Sequence, residues 1–324
     1  MIVVGAWLAV ACGCGGSSST PAYTTPVAPD PGPLAISCPP VTTPATSAQG
    51  APVTFPAPTT TGGRAPISVS CTPASGQTFP VGSTSVTCTA TDAATSSAKC
   101  GFEVAVTAPP RISATKFLAF GDSITAGEVT VPVVTGTGDR ETVSLPLQVV
   151  PAASYPAVLS GKLRQRYVAQ SITMENAGKP GEAIVDGYTR FQTTLTSAQP
   201  EALLLLYGYN DCNSDSRAVQ RALNTMGDMV RYAKARGAKV YVATLTPGIA
   251  DRLRTLPEAN VLAFNSGIRA LAASEHVGLL DLYQLALPDV DGWIGVDGLH
   301  PTEAGYANIA DAFYKTLIAE LETR

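Results

Sequence analysis

The sequence predicts two domains of different architecture: a C-terminal α/β three-layer sandwich built on a parallel five-stranded sheet, and a separate N-terminal all-β sandwich. The length of 324 residues is sufficient for two domains. The two domains differ in charge. The stretch from Ser17 to Pro110 is rich in Thr, Ser, Pro, Ala and Val, and its charged residues are only Asp30, Arg64, Asp92, Lys99 and Glu103. After this stretch, charged residues and helix-forming residues return, and short apolar runs alternate with helical patterns.

The overall charge limits the classes of partner. The formal net charge is -4 at pH 7. Nucleic acids and anionic membrane surfaces are bound through strongly basic patches. We therefore expect no nucleic-acid partner.

The N-terminus resembles an export signal. The run from Met1 to Ala11 is apolar but too short to span a bilayer, as in the hydrophobic part of a signal peptide. Small residues lead up to Cys12, so residues 1–16 resemble a bacterial lipoprotein signal. That resemblance implies lipidation of Cys12, membrane attachment through it and an envelope location. Plain secretion is the alternative. The Ser/Thr/Pro-rich residues 17–33 are expected to form an extended linker.

Residues 34–107 have the alternation of an antiparallel β-sandwich. Period-two runs separated by Pro/Gly turns include Ile67, Val69 and Cys71; Val86, Cys88 and Ala90; and Phe102, Val104 and Val106. The stretch SGQTFPVGSTSVTCTATD, followed by CGFEVAVT, resembles the hyalin repeat (HYR) module. This resemblance implies an immunoglobulin-like sandwich that acts as a spacer or adhesion unit.

Cysteine usage is consistent with an exported chain. An even number of cysteines in the low-charge region predicts two disulfides, and three pairings are possible among Cys38, Cys71, Cys88 and Cys100. Cys212 lies apart from these residues and is expected to be a free, partly buried thiol.

Residues 115–324 alternate strands with helices, which predicts a flavodoxin-like parallel sheet covered on both faces. The predicted strands are 117–120, 172–174, 203–207, 240–245 and 277–282. One helix is expected to start at Ser216 as N-cap and to stop at Gly237. The last helix should bury Ile309, Phe313, Leu317 and Leu321. Ligands of such sheets bind beyond the carboxyl ends of the strands.

Four strand ends or loops in this region carry polar motifs: Gly121-Asp122-Ser123-Ile124-Thr125, Asn176-Ala177-Gly178-Lys179-Pro180-Gly181, Gly208-Tyr209-Asn210-Asp211 and Asp297-Gly298-Leu299-His300-Pro301. The first three are individually weak, because each is also a common turn or helix cap. A serine hydroxyl needs a neighbouring base, and histidine is the side chain suited to neutral pH. The chain has two histidines. His276 lies at a helix-to-strand junction, where a surface or capping role is expected, so His300 is the candidate base.

Together, the four blocks occur in the order and spacing of the SGNH (GDSL-like) hydrolases, and residues 115–324 resemble that family. The resemblance implies that Ser123 is the nucleophile, His300 the base and Asp297 its acceptor. It also implies an oxyanion hole made by the amide of Ser123, the amide of Gly181 (with Gly178 less favoured) and the side chain of Asn210. No metal or organic cofactor is implied, and we see no Cys/His cluster that would hold a metal.

The expected activity is hydrolysis of carboxylic esters, with a small-molecule, glycan or lipid ester as substrate. An acyltransferase would use the same residues, and a catalytically inert adhesin is the alternative from another class of protein. The sequence does not choose the acyl chain, the alcohol or the oligomeric state.

One insertion follows the candidate nucleophile. Residues 128–150 predict a β-hairpin flap, because apolar residues alternate on two arms around a Gly-rich turn at 135–139. Pro132 and Pro146 are typical of an exposed edge. An isolated hairpin is marginally stable, so one apolar face is expected to lie on another surface.

Overall fold

Residues 30–137 and 140–323 are described by a computed structural model of the chain. They fall into two compact units: a smaller one of residues 30–39, 57–72 and 87–101, and a larger one of residues 40–56, 73–86 and 102–323. The signal sequence, Cys12 and residues 17–29 of the expected linker lie outside the described residues. None of the helices in the described part of the chain is long and apolar enough to span a membrane.

The N-terminal part is strand-rich, as predicted. Its strands are β1 (Ala35–Ser37), β2 (Val41–Pro44), β3 (Ala51–Pro52), β4 (Thr59–Thr61), β5 (Ser68–Thr72), β6 (Thr78–Phe79), β7 (Gly82–Thr91), β8 (Ser97–Thr107) and β9 (Arg111–Ile112).

In the smaller unit, β1 pairs antiparallel with β4, and β5 pairs antiparallel with the second half of β7. Two disulfides, Cys38–Cys100 and Cys71–Cys88, join its segments. The alternating run that includes Val69 does not place this side chain in the core, because Val69 is 40% exposed. β5 lies at the edge of its sheet, and the side chains of an edge strand have fewer neighbours.

In the larger unit, β2 pairs in parallel with the end of β8, and β3 pairs with β6. The predicted alternation of β8 is confirmed, since Phe102, Val104 and Val106 are all buried. The ring of Phe55 packs edge-to-face on Phe102, with centroids 5.0 Å apart.

From residue 116 the strands are β10 (Lys116–Gly121), β11 (Glu128–Thr130), β12 (Val133–Thr135), β13 (Thr142–Ser144), β14 (Leu147–Val149), β15 (Thr173–Gly178), β16 (Ala202–Leu206), β17 (Lys239–Ala243), β18 (Gly278–Leu280) and β19 (Glu322–Thr323). Five of them form one parallel sheet in the order β15-β10-β16-β17-β18. These are the five predicted strands, in the flavodoxin-like order. Every residue of the central strand β16 is buried, as expected for a strand covered on both faces.

The helices are α1 (Ser123–Ala126), α2 (Tyr155–Arg166), α3 (Ile184–Ala198), α4 (Tyr209–Cys212), α5 (Ser216–Lys234), α6 (Glu258–Glu275), α7 (Leu282–Ala286), α8 (Val290–Trp293) and α9 (Glu303–Leu321). α2 packs on α9, while α3, α5 and α6 pack in succession on one another. The predicted buried face of α9 is confirmed, and all four of its expected apolar side chains are buried. His276 caps α6 in the left-handed conformation and is exposed, as predicted.

The expected N-cap of α5 is wrong by one residue. Asp215 is the cap, and its carboxylate accepts a hydrogen bond from the amide of Ala218 at 2.8 Å. Both Asp and Ser are good caps, so their order in the sequence did not distinguish them. Cys212 is free and buried.

The predicted hairpin is confirmed, with β11 pairing β14 and β12 pairing β13. The expectation of one buried apolar face is wrong beyond the base of the hairpin. Val129 packs against the core, but Val133, Val134 and Val143 are 40%, 58% and 65% exposed. The prolines between the two short ladders limit each to three residue pairs, and the outer ladder has no covering element among the described residues.

Candidate active site

Ser123 begins α1, directly after strand β10. The Asp122 side chain caps this turn, and its Oδ1 accepts the Ile124 amide at 3.1 Å. Its Oδ2 accepts the amides of Gly208 and Tyr209, both at 3.2 Å. Burial raises the pKa of Asp122 to about 6, although these backbone hydrogen bonds act against the shift. Asp122 therefore joins the turn after β10 to the turn after β16.

Ser123, His300 and Asp297 form one hydrogen-bonded chain. The Ser123 Oγ lies 3.1 Å from His300 Nε2, and His300 Nδ1 lies 2.7 Å from Asp297 Oδ2. All three side chains are buried, with Asp297 fully so. The structure thus brings together, from positions 177 residues apart, the nucleophile and the base that the sequence suggested.

The loop before α9 holds Asp297 and His300 next to each other through its own backbone. Asp297 Oδ1 accepts the backbone amides of Leu299 and His300, each at 3.0 Å. The turn needs a positive φ at Gly298, which is +88° there. Burial opposes ionisation of Asp297, but hydrogen bonds from His300, Thr130 and Leu299 outweigh it and hold the pKa of this carboxyl far below its usual range. Asp297 therefore remains an acceptor for the imidazole.

Three further side chains contact these residues, and no motif in the sequence marks any of them. Thr130 Oγ1 donates to Asp297 Oδ2 at 2.6 Å. Arg254 Nε lies 3.5 Å from the same oxygen. Glu128 Oε2 lies 3.4 Å from His300 Nε2. No spacing motif marks them, because Thr130 and Glu128 lie in the hairpin insertion and Arg254 in the loop after β17.

The expected oxyanion residues lie on the same cleft as the serine. This cleft, of about 300 Å³, is lined by Ser123, Gly181, Asn210 and His300, among others. Gly181 has a φ of +73°. The Gly178 amide donates to Asn176 Oδ1 at 3.0 Å, and a Cβ at Gly178 would collide with the backbone of α1. Gly181 is therefore the better candidate of the two glycines.

A buried network holds the loop that carries Gly181. Glu182 forms ion pairs with Arg190 and Lys179 and accepts the Tyr207 hydroxyl at 2.7 Å. Burial opposes ionisation of Glu182, but hydrogen bonds from these partners outweigh it and lower its pKa. Asn210 Nδ2 donates to the Glu182 carbonyl at 3.0 Å. This bond links the loop after β15 to the turn after β16.

A second, smaller cavity of about 170 Å³ adjoins the cleft. The two share Thr255, Leu256 and Leu299 as wall residues, and Val261 and Tyr283 line the smaller cavity. Among residues 30–137 and 140–323, no cluster of His, Cys, Asp and Glu side chains is arranged to hold a metal ion.

Comparison with known proteins agrees with this geometry. Residues 119–307 match the GDSL-like Lipase/Acylhydrolase family, over more than half of the chain. The chain belongs to this family. The blocks of this GDSL-like chain that meet at the cleft all lie within the matched residues. Residues 29–106 match the HYR domain, as their sequence resemblance suggested.

Individual relatives of the GDSL-like domain include an esterase and a lipase. Over 144 residues the chain is 26% identical to Esterase TesA of Pseudomonas aeruginosa, covering 44% of this chain and 68% of the esterase. A solved lipase/acylhydrolase from Enterococcus faecalis aligns with a TM-score of 0.53 at 21% identity, covering 64% of this chain and 98% of that protein. The second likeness shows that the fold is shared.

Proposed function

We propose that this GDSL-like chain is a serine esterase that cleaves carboxylic esters through an acyl-enzyme on Ser123. The observation that supports this most strongly is the buried hydrogen-bonded chain from Ser123 through His300 to Asp297. His300 Nε2 takes the proton of the serine hydroxyl as the oxygen attacks the ester carbonyl. Asp297 holds the other nitrogen and stabilises the imidazolium that forms.

The tetrahedral oxygen that forms in this attack needs hydrogen-bond donors. We assign the amide of Ser123, the amide of Gly181 and the side chain of Asn210 to this role. The three line the cleft with the nucleophile, and Asn210 uses one amide proton on the Glu182 carbonyl, which leaves its second for the substrate. Removing one donor of such a set costs about 3 kcal/mol of transition-state stabilisation.

His300 then returns its proton to the departing alcohol oxygen, which leaves the acyl group on Ser123. In the second half-reaction the same nitrogen deprotonates a water, which attacks the acyl carbonyl. The bond to Ser123 Oγ then breaks, this oxygen takes the proton back from His300, and the acid is released. Both halves use one nitrogen as base and then as acid.

We further propose that the chain works outside the cytoplasm, either secreted or held at the cell envelope through Cys12. The support is the signal-like residues 1–16 and the disulfides Cys38–Cys100 and Cys71–Cys88, which are typical of exported proteins. In this arrangement residues 17–33 are a linker, residues 34–107 are a spacer module, and the remaining chain is the esterase.

The test of the esterase proposal is covalent labelling. A small fluorophosphonate should modify Ser123, identified by peptide mass spectrometry, and labelling should stop p-nitrophenyl acetate hydrolysis. Ser214→Ala, at an exposed serine of the same domain, is the control and should label like the wild type. Unlabelled Ser123 together with intact hydrolysis would overturn the assignment.

A further inference from the structure

A second carboxylate lies beside the catalytic imidazole. Glu128 opens β11, and its Oε2 lies 3.4 Å from His300 Nε2, the nitrogen that also faces Ser123. The backbone fixes this position, because the Glu128 carbonyl accepts the Tyr306 hydroxyl at 2.6 Å and β11 pairs with β14. Glu128 therefore lies in the cleft as a consequence of the fold.

The proposed reaction does not need this carboxylate. Asp297 already occupies Nδ1 of His300, and Ser123 occupies Nε2. The Glu128 side chain is only 12% exposed. Among the described residues, no hydroxyl, amide or guanidinium group donates a hydrogen bond to its carboxylate. A carboxylate largely removed from water without donors is costly, so a bound ligand that donates to it would gain binding energy.

The location of the leaving group shows which ligand atoms can reach Glu128. In the proposed mechanism His300 Nε2 protonates the departing alcohol oxygen, so that oxygen must lie within hydrogen-bond distance of Nε2. Glu128 Oε2 is 3.4 Å from the same nitrogen. The carboxylate is thus no further than about two hydrogen-bond lengths from the ester oxygen. A hydroxyl on the carbon next to the one bearing that oxygen falls in this range.

The polar side chains that line the cleft suit an alcohol with hydroxyl groups. Arg254 lines the same cleft, and its buried Nε has no hydrogen-bond acceptor among the described residues. A ligand in the cleft therefore meets the Glu128 carboxylate and the Arg254 guanidinium, whose Nε also lies 3.5 Å from Asp297 Oδ2. Hydroxyl groups can donate to Glu128 and accept from Arg254. Exposed Asn213 adds an amide that does both.

We propose that Glu128 is a specificity residue that selects esters of polyhydroxylated alcohols, through a hydroxyl adjacent to the ester oxygen. This inference rests on the proposed acyl-enzyme mechanism and names the alcohol side of its substrate. Glycerol and sugar esters share this chemistry. An alkyl alcohol would leave the Glu128 carboxylate desolvated and unpaired, and such a mismatch gives strong discrimination.

A matched substrate pair tests the proposal on the full chain. 1-Monoacetin and propyl acetate have the same carbon skeleton and differ by two hydroxyls on the alcohol. The wild type should prefer monoacetin in kcat/KM. In Glu128→Ala the ratio of the two values should fall about tenfold or more, the cost of losing a hydrogen bond to a charged group. Glu128→Gln, which keeps an acceptor oxygen, should retain part of the preference. Glu141→Ala, an exposed carboxylate of the same hairpin, is the control and should leave the ratio unchanged.

Each alternative outcome is distinguishable. An equal fall on both substrates would mean that Glu128 acts on His300 and not on the alcohol, and would overturn the proposal. A Glu128-dependent preference for acetylcholine over 3,3-dimethylbutyl acetate would also overturn it, in favour of a cationic alcohol. A monoacetylated methyl xyloside tests the sugar source, and a Glu128-dependent preference for it or for monoacetin supports the proposal. Fluorophosphonate labelling of Ser123 is measured alongside. Absence of labelling in the wild type would refute the esterase itself. Labelling together with an unchanged ratio of the two kcat/KM values in Glu128→Ala would refute only the role of Glu128.

Discussion

Most contacts of the catalytic chain converge on Asp297. It accepts hydrogen bonds from the imidazole, the Thr130 hydroxyl and two backbone amides, and the Arg254 guanidinium lies beside it. In the proposed reaction, such a carboxylate stays ionised and orients the base. In the proposed mechanism, the nucleophile, base and acceptor therefore act as one unit.

Residues that act as a unit have non-additive effects. We expect Ser123→Ala and His300→Ala each to lower kcat by on the order of 10⁴-fold or more. The double variant should lose little beyond either single variant, because the first change already removes the unit. Steady-state kinetics on p-nitrophenyl acetate measures this, with His276→Ala, an exposed helix cap, as the control. If the fall in kcat of the double variant were the product of the two single falls, Ser123 and His300 would not act together.

Two buried acids near the loop that carries Gly181, namely Asp211 and Glu182, should give opposite pH trends in stability. Burial raises the pKa of Asp211 from 3.8 to about 6, so its favourable neutral form is lost as pH rises towards 6 and above. Burial would raise the pKa of Glu182, but hydrogen bonds from Arg190, Tyr207 and Lys179 outweigh it and hold the pKa below the usual 4.5. The stability from Glu182 is present above 4.5 and lost as pH falls further.

Urea unfolding at pH 4 and pH 7.5 tests these trends. Relative to wild type, Asp211→Asn should gain stability between pH 4 and pH 7.5, by on the order of 1 kcal/mol or more. Glu182→Gln should instead lose stability relative to wild type over the same interval, since the stability that ionised Glu182 contributes is complete only above pH 4.5. Parallel trends in the two variants would contradict the environments described here.

At the scale of elements, the hairpin and the loop before α9 are coupled. Thr130 lies on β11, and its hydroxyl donates to Asp297 across 167 residues of sequence. Thr130→Val keeps the shape and removes the donor. We expect kcat to fall about tenfold with little change in KM, because the lost bond goes to a charged group that orients the base. Thr135→Val is the control, because Thr135 lies on the same hairpin and its described hydrogen-bond partner is Thr142. A change confined to KM would mean that Thr130 serves substrate binding instead.

The elements differ in how far the sequence predicts them. Buried runs such as Ala202–Leu206 are apolar throughout, so their pattern specifies the parallel strands directly. The Ser123 block and the His300 block are each short continuous stretches of sequence, so their residue types and their order along the chain suggest the chemistry. Glu128, Thr130 and Arg254 could not be found in this way, because their contacts depend on where an insertion and a loop pack in three dimensions. The exposed valines of the hairpin were mispredicted for the same reason.

At the scale of the whole molecule, the first and last strands of the GDSL-like domain pair with each other. β19, at residues 322–323, pairs antiparallel with β9, at residues 111–112. Ile112 and Ala114 are buried in the core of the parallel sheet, and the Gln170 side chain bonds both backbone groups of Ile112. A boundary at residue 115, as placed from sequence, omits this strand. A start at Pro110 includes it.

Truncation tests this closure and the independence of the esterase. We expect residues 110–324 to fold and to hydrolyse p-nitrophenyl acetate with a kcat within about twofold of the full chain, because the cleft residues and the core beneath them all lie in this segment. Residues 115–324 should be less stable by about 2 kcal/mol or more, since burying Ile112 alone contributes about that amount. Chemical denaturation of the two truncated chains measures the difference. If the longer chain folded without activity, residues 34–107 would have to contribute to the site. If the shorter chain were equally stable, the pairing of β9 with β19 would add nothing to the fold.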